Sequence, residues 1–130
     1  MVKVPIVLEA QWQKDFIIWC EKRGFYTALN PYNPARDYVG CVFAVPNGGN
    51  RNLVEAAEMK RQGLLAGVSD LIIMFKDGDI YFLENKQLQG KQSPKQVDFE
   101  AICHLLGFRY CLCKSIFEAT RLIVDKINKI

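Results

Sequence analysis

The chain has 130 residues, the length of one ordinary domain, so we expect a single domain over residues 1–130. Hydrophobic residues make up 50% and charged residues 24% of the sequence, a composition that is typical of globular proteins and excludes a disordered chain. We expect a cytoplasmic protein without membrane contact, because no apolar run could cross a bilayer and the N-terminus lacks a secretory signal. The net charge of +3 permits nucleic-acid binding but does not require it.

Apolar residues at helical spacing predict a first helix over residues 5–23. The residues that recur at this spacing are Leu8, Trp12, Phe16 and Trp19. Gly24 follows at the position of a helix C-cap. Glu9 lies three residues before Trp12, on or beside the apolar stripe. A carboxylate that faces a core needs a partner or a metal, whereas one at the edge of the stripe reaches solvent, and both positions are open to Glu9.

The rest of the sequence predicts four strands and three helices. The strands are expected over residues 40–45, 69–75, 80–86 and 108–113. The helices are expected over residues 53–62, from Ser93 to near Gly107, and from Ser115 to the C-terminus. Ser93 and Ser115 each begin a capping box, with Gln96 and Glu118 three residues further on. The resulting order, α-β-α-β-β-α-β-α, predicts an α/β fold in which helices flank a mixed β-sheet.

Charged residues at one end of the central hairpin form a candidate site. Glu84 and Lys86 lie two residues apart in an otherwise apolar strand, and so project from the same face as Phe82. Asp70 comes directly before the apolar stretch of the neighbouring strand. Two carboxylates and a lysine suit a divalent cation, with the lysine near its bound water. The alternative is an ordinary solvated pair of Glu84 and Lys86.

A shared site puts a condition on the turn of this hairpin. A two-residue turn at Asp77 and Gly78 would pair Asp70 with Asn85, which would turn Asp70 away from the face of Glu84. Both carboxylates share a face only with a three-residue loop, in which Gly78 is left-handed, or with a bulge. We therefore predict that this hairpin does not have a plain two-residue turn.

Several segments in order resemble the virus-type replication-repair nuclease (VRR-NUC) family of the PD-(D/E)XK nuclease superfamily. They are Glu9, residues 47–51, 60–63, 67–71, 84–86, 93–96 and 106–107. The likeness extends from Glu9 to about Cys113, and it departs from the superfamily motif at Ser69, where the motif has proline. The resemblance implies a restriction-endonuclease-like fold and hydrolysis of DNA phosphodiester bonds with Mg²⁺ or Mn²⁺.

The resemblance also assigns roles to particular residues. It implies that the metal is bound by Asp70, Glu84 and the backbone carbonyl of Asn85. Lys86 would activate or orient the attacking water, and Glu9 and Gln96 would support the site. Gln96 fits its capping box so well that a purely structural role is the alternative.

Small relatives of this kind look like homodimeric nucleases that act on branched DNA in phage or DNA-repair pathways, as resolvases or nickases. Apolar residues beyond the needs of one small core agree loosely with a homodimer; they are Phe25, Tyr26 and Tyr38. The candidate DNA-binding cations are Arg51, Lys60, Lys91 and Lys95. Two alternatives are an inactive DNA-binding module on the same fold and a sequence-specific restriction endonuclease.

Overall fold

A computed structural model describes residues 9–46, 52–86 and 90–130 of the chain, with backbone only at Glu9 and Ala10. The helices in these ranges are α1 (Glu9–Lys22), α2 (Leu53–Arg61), α3 (Pro94–Leu106) and α4 (Ile116–Ile127). The strands are β1 (Phe25–Tyr26), β2 (Gly40–Ala44), β3 (Leu71–Phe75), β4 (Ile80–Asn85) and β5 (Arg109–Cys113). The α/β prediction is confirmed, with β1 as an addition. No helix in the described ranges is long and apolar enough to cross a membrane.

The five strands form one mixed sheet in the order β1-β2-β3-β4-β5. The two inner pairs, β2 with β3 and β3 with β4, are antiparallel, and the two outer pairs are parallel. The strand β1 was missed because it has only two residues, too few to show an alternating pattern. It pairs Phe25 with Gly40 and Tyr26 with Cys41 at the edge of the sheet.

One face of the sheet, here called the core face, packs against α1 and α4. Its buried apolar side chains alternate along the strands, as expected for a sheet with one face in the core. The residues in this core include Phe16 and Cys20 of α1, Phe25, Val42, Leu71, Ile73 and Leu83 of the sheet, and Ala119 and Ile123 of α4. Phe25 is fully buried, so its expected contribution to a dimer surface is wrong.

The described residues cover only part of the opposite face, here called the site face. Phe82 of β4 contacts Phe99 of α3, with ring centroids 5.4 Å apart, and Phe99 contacts Tyr110 of β5 at 6.1 Å. On the β2 and β3 side of this face, Phe43 and Met74 remain substantially exposed. The helix α3 therefore shields β4 and β5 but leaves β2 and β3 open.

The hairpin of β3 and β4 has the predicted three-residue loop. Leu71 pairs with Leu83 and Met74 with Ile80, which leaves residues 76–78 as the loop. The backbone N–H of Phe75 donates to the carbonyl of Asp79 at 2.9 Å, and Gly78 has φ +92°, in the left-handed region that favours glycine. The prediction that this is not a plain two-residue turn is confirmed.

Helix caps follow the sequence prediction in α3 and depart from it in α4. Both hydrogen bonds of the capping box join Ser93 and Gln96, and Gly107 ends α3 with φ +83°. In α4 the hydroxyl of Ser115 accepts from the backbone N–H of Glu118 as predicted. The Glu118 carboxylate, however, accepts at 2.8 Å from the N–H of Lys114, so this part of the predicted box is wrong.

Candidate active site

The two candidate carboxylates meet at one end of the sheet. Continuing the hairpin register by one residue beyond Leu71 and Leu83 places Asp70 opposite Glu84. Residues opposite each other in an antiparallel pair project from the same face, so both carboxylates lie on the site face. Glu84 is only 1% exposed, so the alternative of a solvated pair is wrong. The loop length at residues 76–78 thus decides that the two acids share one site.

Two backbone hydrogen bonds orient the carboxylates. The N–H of Asp70 donates to Glu84 Oε2 at 3.1 Å, and the N–H of Asn85 donates to Asp70 Oδ2 at 2.9 Å. Each strand thus supplies a backbone donor to the acid of the other strand. These bonds restrict both side chains to one orientation before any ligand arrives, which reduces the entropy that binding must remove.

Gln96 contributes to both the helix cap and the site. Its Nε2 donates to Glu84 Oε1 at 2.7 Å, while its Oε1 accepts from the backbone N–H of Ser93 at 2.8 Å. One orientation of the Gln96 amide therefore satisfies both hydrogen bonds, with its nitrogen toward Glu84 and its oxygen toward Ser93. The two functions considered for Gln96 are not alternatives, because the same side chain caps α3 and holds Glu84.

A glycine permits the close approach of α3 to this end of the sheet. Gly67 has φ +88°, and a Cβ at this position would lie 2.3 Å from the carbonyl oxygen of Lys95 and 2.8 Å from the backbone nitrogen of Gln96. A larger residue would be strained and would push the first turn of α3 away. Gly67 therefore helps to set the position from which Gln96 reaches Glu84.

Lys86 is the cation beside these acids. Its Nζ lies 3.8 Å from Glu84 Oε1, and its side chain is 16% exposed. Two residues apart on β4 and its continuation, Glu84 and Lys86 lie on the same face, as the sequence predicted.

Burial of Glu84 and the negative charge of Asp70 raise the pKa of Glu84 to about 7, although Lys86 opposes this shift. A buried and a half-buried acid that repel each other bind a cation more favourably than separate solvated acids do. Their oxygens are also the donors that Mg²⁺ and Mn²⁺ prefer.

The backbone of Asn85 adds a possible third oxygen. Its N–H points to Asp70, and the N–H and C=O of one strand residue point to the same side, so its carbonyl oxygen faces the Asp70 strand. Among the residues that the structure describes, no three His, Cys, Asp or Glu side chains converge on one point. The donor set fits a hard divalent cation held by two carboxylates, backbone oxygen and water.

A polar group next to the acids was not predicted from the sequence. Gln92 Nε2 donates to the hydroxyl of Tyr110 at 3.2 Å and to Glu100 Oε1 at 3.3 Å. Burial raises the pKa of Tyr110, and the charges of Glu84 and Glu100 add to this effect. The alternation of strand β5 could have revealed Tyr110, since it pairs with Phe82 on the face that carries Glu84.

The remaining predicted residues are less closely connected to the acids. Lys95 is exposed in the first turn of α3 beside Gln96, and Lys91 is exposed just before that helix. Lys60 is exposed in the last turn of α2, a helix without buried residues. Arg51 lies outside the described residues. Glu9 is the first described residue of α1, and its side chain is outside the description.

Known structures share this architecture. One, described as a "VRR_NUC domain protein", superposes with a TM-score of 0.65 at 21% sequence identity and covers 94% of this chain and 89% of its own. Another, described as a "VRR_NUC domain", gives a TM-score of 0.57 at 19% identity and covers 88% of this chain and 92% of its own. The chain has the VRR_NUC fold. The fold implied by the sequence resemblance is thereby confirmed, although the sequence matches no protein-family model and no curated protein.

Proposed function

We propose that this protein is a divalent-metal-dependent DNA endonuclease of the PD-(D/E)XK type. The observation that carries the proposal is the pair of the half-buried Asp70 and the buried Glu84, set opposite each other on the site face with Lys86 Nζ 3.8 Å from Glu84. The VRR_NUC fold, shared with proteins whose descriptions name that nuclease domain, supports the same chemistry. Burial of Glu84 beside a second acid, without such a role, would be a costly feature of a small domain.

Each residue of the site has a part in the proposed reaction. Asp70, Glu84 and the Asn85 carbonyl would hold Mg²⁺ or Mn²⁺, which when bound supplies charge neutralisation at the phosphate and acidifies a water molecule. Lys86 orients the attacking water or stabilises the negative charge that develops on the phosphate. Gln96 keeps Glu84 in position through its 2.7 Å hydrogen bond. Glu9 would support the metal, as the resemblance implies.

We further propose that the substrate is branched DNA and that the active form is a homodimer. A four-way junction presents two equivalent strands, and a two-fold pair of sites can cut both of them. Lys91 and Lys95 are exposed near the N-terminus of α3, where they can neutralise the phosphates beside the site, and Arg51 and Lys60 are further candidates. This arrangement favours reading of the backbone and of DNA shape over reading of base sequence.

The test is cleavage of labelled duplex, flap, single-stranded and four-way-junction DNA with Mg²⁺, Mn²⁺ or EDTA. We expect cleavage of branched DNA that EDTA abolishes. Asp70→Asn and Glu84→Gln should lower the cleavage rate on the order of 10³-fold or more, because each removes a metal ligand. Lys86→Ala should lower it on the order of 10² to 10⁴-fold, the usual scale for one positioned catalytic group.

Asp125→Asn is the matched control, since it also removes a single carboxylate charge, from an exposed position on α4. This variant should cleave like the wild type, and Asp70→Asn and Glu84→Gln should still bind DNA, because both leave the cationic contacts unchanged. Cleavage in EDTA, or full activity of Glu84→Gln, would contradict the metal mechanism. Binding without cleavage under every condition would instead indicate an inactive DNA-binding module.

A further inference from the structure

A groove lies on the open part of the site face, away from the acids. It has a volume of about 300 Å³ and is lined mainly by Tyr26, Tyr32, Tyr38, Cys41, Met74 and Lys76. Tyr26 pairs with Cys41, and Cys41 pairs with Met74, so the floor of the groove is formed by β1, β2 and β3. Tyr26 and Tyr38 give only loose support for a homodimer, and the proposed cleavage gives no role to the groove.

The three tyrosines form one cluster. The rings of Tyr32 and Tyr38 are nearly parallel, at 24° with centroids 6.0 Å apart, and Tyr26 meets both of them edge-on. The Tyr38 hydroxyl accepts from the backbone N–H of Asn33 at 3.0 Å, and the guanidinium of Arg36 lies 5.3 Å from its ring centroid. These contacts hold the loop of residues 32–38 in place. Tyr32, at 65% exposed, is the most exposed of the three tyrosines.

The groove and the acids lie on the same face at a distance that one DNA strand can bridge. Met74 and Asp70 are four residues apart on one strand, roughly 13 Å, and Tyr26 lies two strands across, roughly 10 Å. The separation is therefore roughly 16 Å, equal to the rise of about five nucleotides in a B-form strand. A strand whose phosphate lies at the metal that Asp70 and Glu84 would hold can thus place a nearby nucleotide in the groove.

We propose that this groove binds an unpaired base of the DNA strand whose phosphate lies at the acids. The proposal rests on the nuclease function proposed above. The exposed aromatic ring of Tyr32 offers a flat stacking surface that accepts any base, and Lys76 can neutralise the adjacent phosphate. Paired bases cannot stack on Tyr32, so the groove favours DNA with an unpaired stretch beside the cleaved bond.

A second copy of this chain is the other possible occupant. The central part of a protein interface is depleted of lysine, whereas this groove contains Lys76. Flat rings next to a cation match a nucleobase and its phosphate better than they match an apolar partner surface.

The test measures the affinity for fluorescein-labelled oligothymidine and for a blunt duplex in EDTA, where neither metal binding nor cleavage contributes. Tyr32→Ala should weaken oligothymidine binding roughly 5- to 100-fold, the range expected for loss of one stacked base. Tyr32→Phe, which keeps the ring, should bind like the wild type, and duplex binding should not change. The control is Phe117→Ala, which removes an aromatic ring of similar exposure, 68%, from α4 on the other side of the sheet.

A second measurement tests the stacking contact directly. Oligothymidine should quench the fluorescence of Tyr32→Trp more strongly than that of the wild type, because the native Trp12 and Trp19 both lie on α1, on the core face of the sheet. Equal oligothymidine affinity of Tyr32→Ala and the wild type would overturn the proposal. So would a Tyr32→Ala variant that binds DNA normally but has a lower mass by light scattering, since the groove would then join two copies.

The cleavage assay separates this proposal from the nuclease function. If the wild type cleaves branched DNA and Tyr32→Ala keeps its oligothymidine affinity, only the groove proposal fails. If the wild type binds oligothymidine through Tyr32 but cleaves no DNA with Mg²⁺ or Mn²⁺, the stacking contact stands and the nuclease function fails.

Discussion

The two faces of the sheet differ in what they bury. The core face buries apolar side chains against α1 and α4, among them Phe16, Leu71 and Leu83, whereas the site face buries the charged Glu84 next to Asp70. The first kind of burial stabilises the fold, and the second opposes it, because desolvation of a carboxylate is unfavourable. The comparison indicates that the core face determines stability, while the site face retains an electrostatically unfavourable arrangement, which agrees with the proposed metal site.

The largest expected loss of stability comes from a substitution in the core between the sheet and α1. Phe16→Ala should lower the free energy of unfolding by about 3–5 kcal/mol, since it leaves a cavity in place of a fully buried ring. Met74→Ala, on the open part of the site face, should lower it by less than about 1 kcal/mol because Met74 is already substantially exposed. Urea denaturation of both variants measures the difference. Similar losses of stability at the two positions would contradict the conclusion that the core face contributes more to stability than the site face does.

The second prediction concerns the pH dependence that Glu84 gives to the site face. Its folded pKa of about 7 lies above the ordinary value of 4.5, so the folded protein binds this proton more tightly than the unfolded chain does. The resulting stability is fully present below pH 4.5 and is lost as the pH rises through 7. Between pH 4.5 and pH 8, the stability of the wild type relative to Glu84→Gln should fall by about 2–3 kcal/mol.

Urea denaturation in EDTA at several pH values measures this difference, and each variant is compared with the wild type at the same pH. Mg²⁺ at pH 8 should restore stability to the wild type but much less to Glu84→Gln, because a ligand stabilises only the folded state that binds it. A stability difference that does not change with pH would show that burial of Glu84 carries no electrostatic penalty.

The smallest expected effect separates the two roles of Gln96, which are the cap of α3 and the contact with Glu84. Ser93→Ala removes the hydroxyl that accepts from the backbone N–H of Gln96 and leaves the contact of Gln96 with Glu84. Gln96→Ala keeps that hydroxyl and removes both hydrogen bonds of the glutamine side chain, one to the N–H of Ser93 and one to Glu84. Each variant should lose about 1 kcal/mol of stability, as is usual for a helix cap. Only Gln96→Ala should also lower the cleavage rate, by roughly tenfold, the effect of one lost hydrogen bond of about 1.4 kcal/mol. Equal rates for the two variants would assign Gln96 to the cap alone.

Most elements of the fold could be predicted because their signals are local. Spacing of apolar residues predicted α1, Ser93 and Gln96 predicted the start of α3, and Gly107 stands at its C-cap with positive φ. The two-residue β1 carries no such signal, since its pairing with Gly40 depends on residues that are distant in sequence. Phe25 was misjudged for the same reason: its burial depends on Phe75, 6.0 Å away between ring centroids, and on the rest of the core.

The sequence by itself determined that Glu84 and Lys86 share a face and that Gln96 fits a capping box, because both follow from the periodicity of a single element. Only the tertiary structure decided that Asp70 joins them and that Gln96 also contacts Glu84, at 2.7 Å. The first depends on the loop at residues 76–78, where one residue more or less would reverse the face of Asp70. The second depends on the packing of α3 against Gly67, since hydrogen bonds between elements require a relative position that no local pattern encodes.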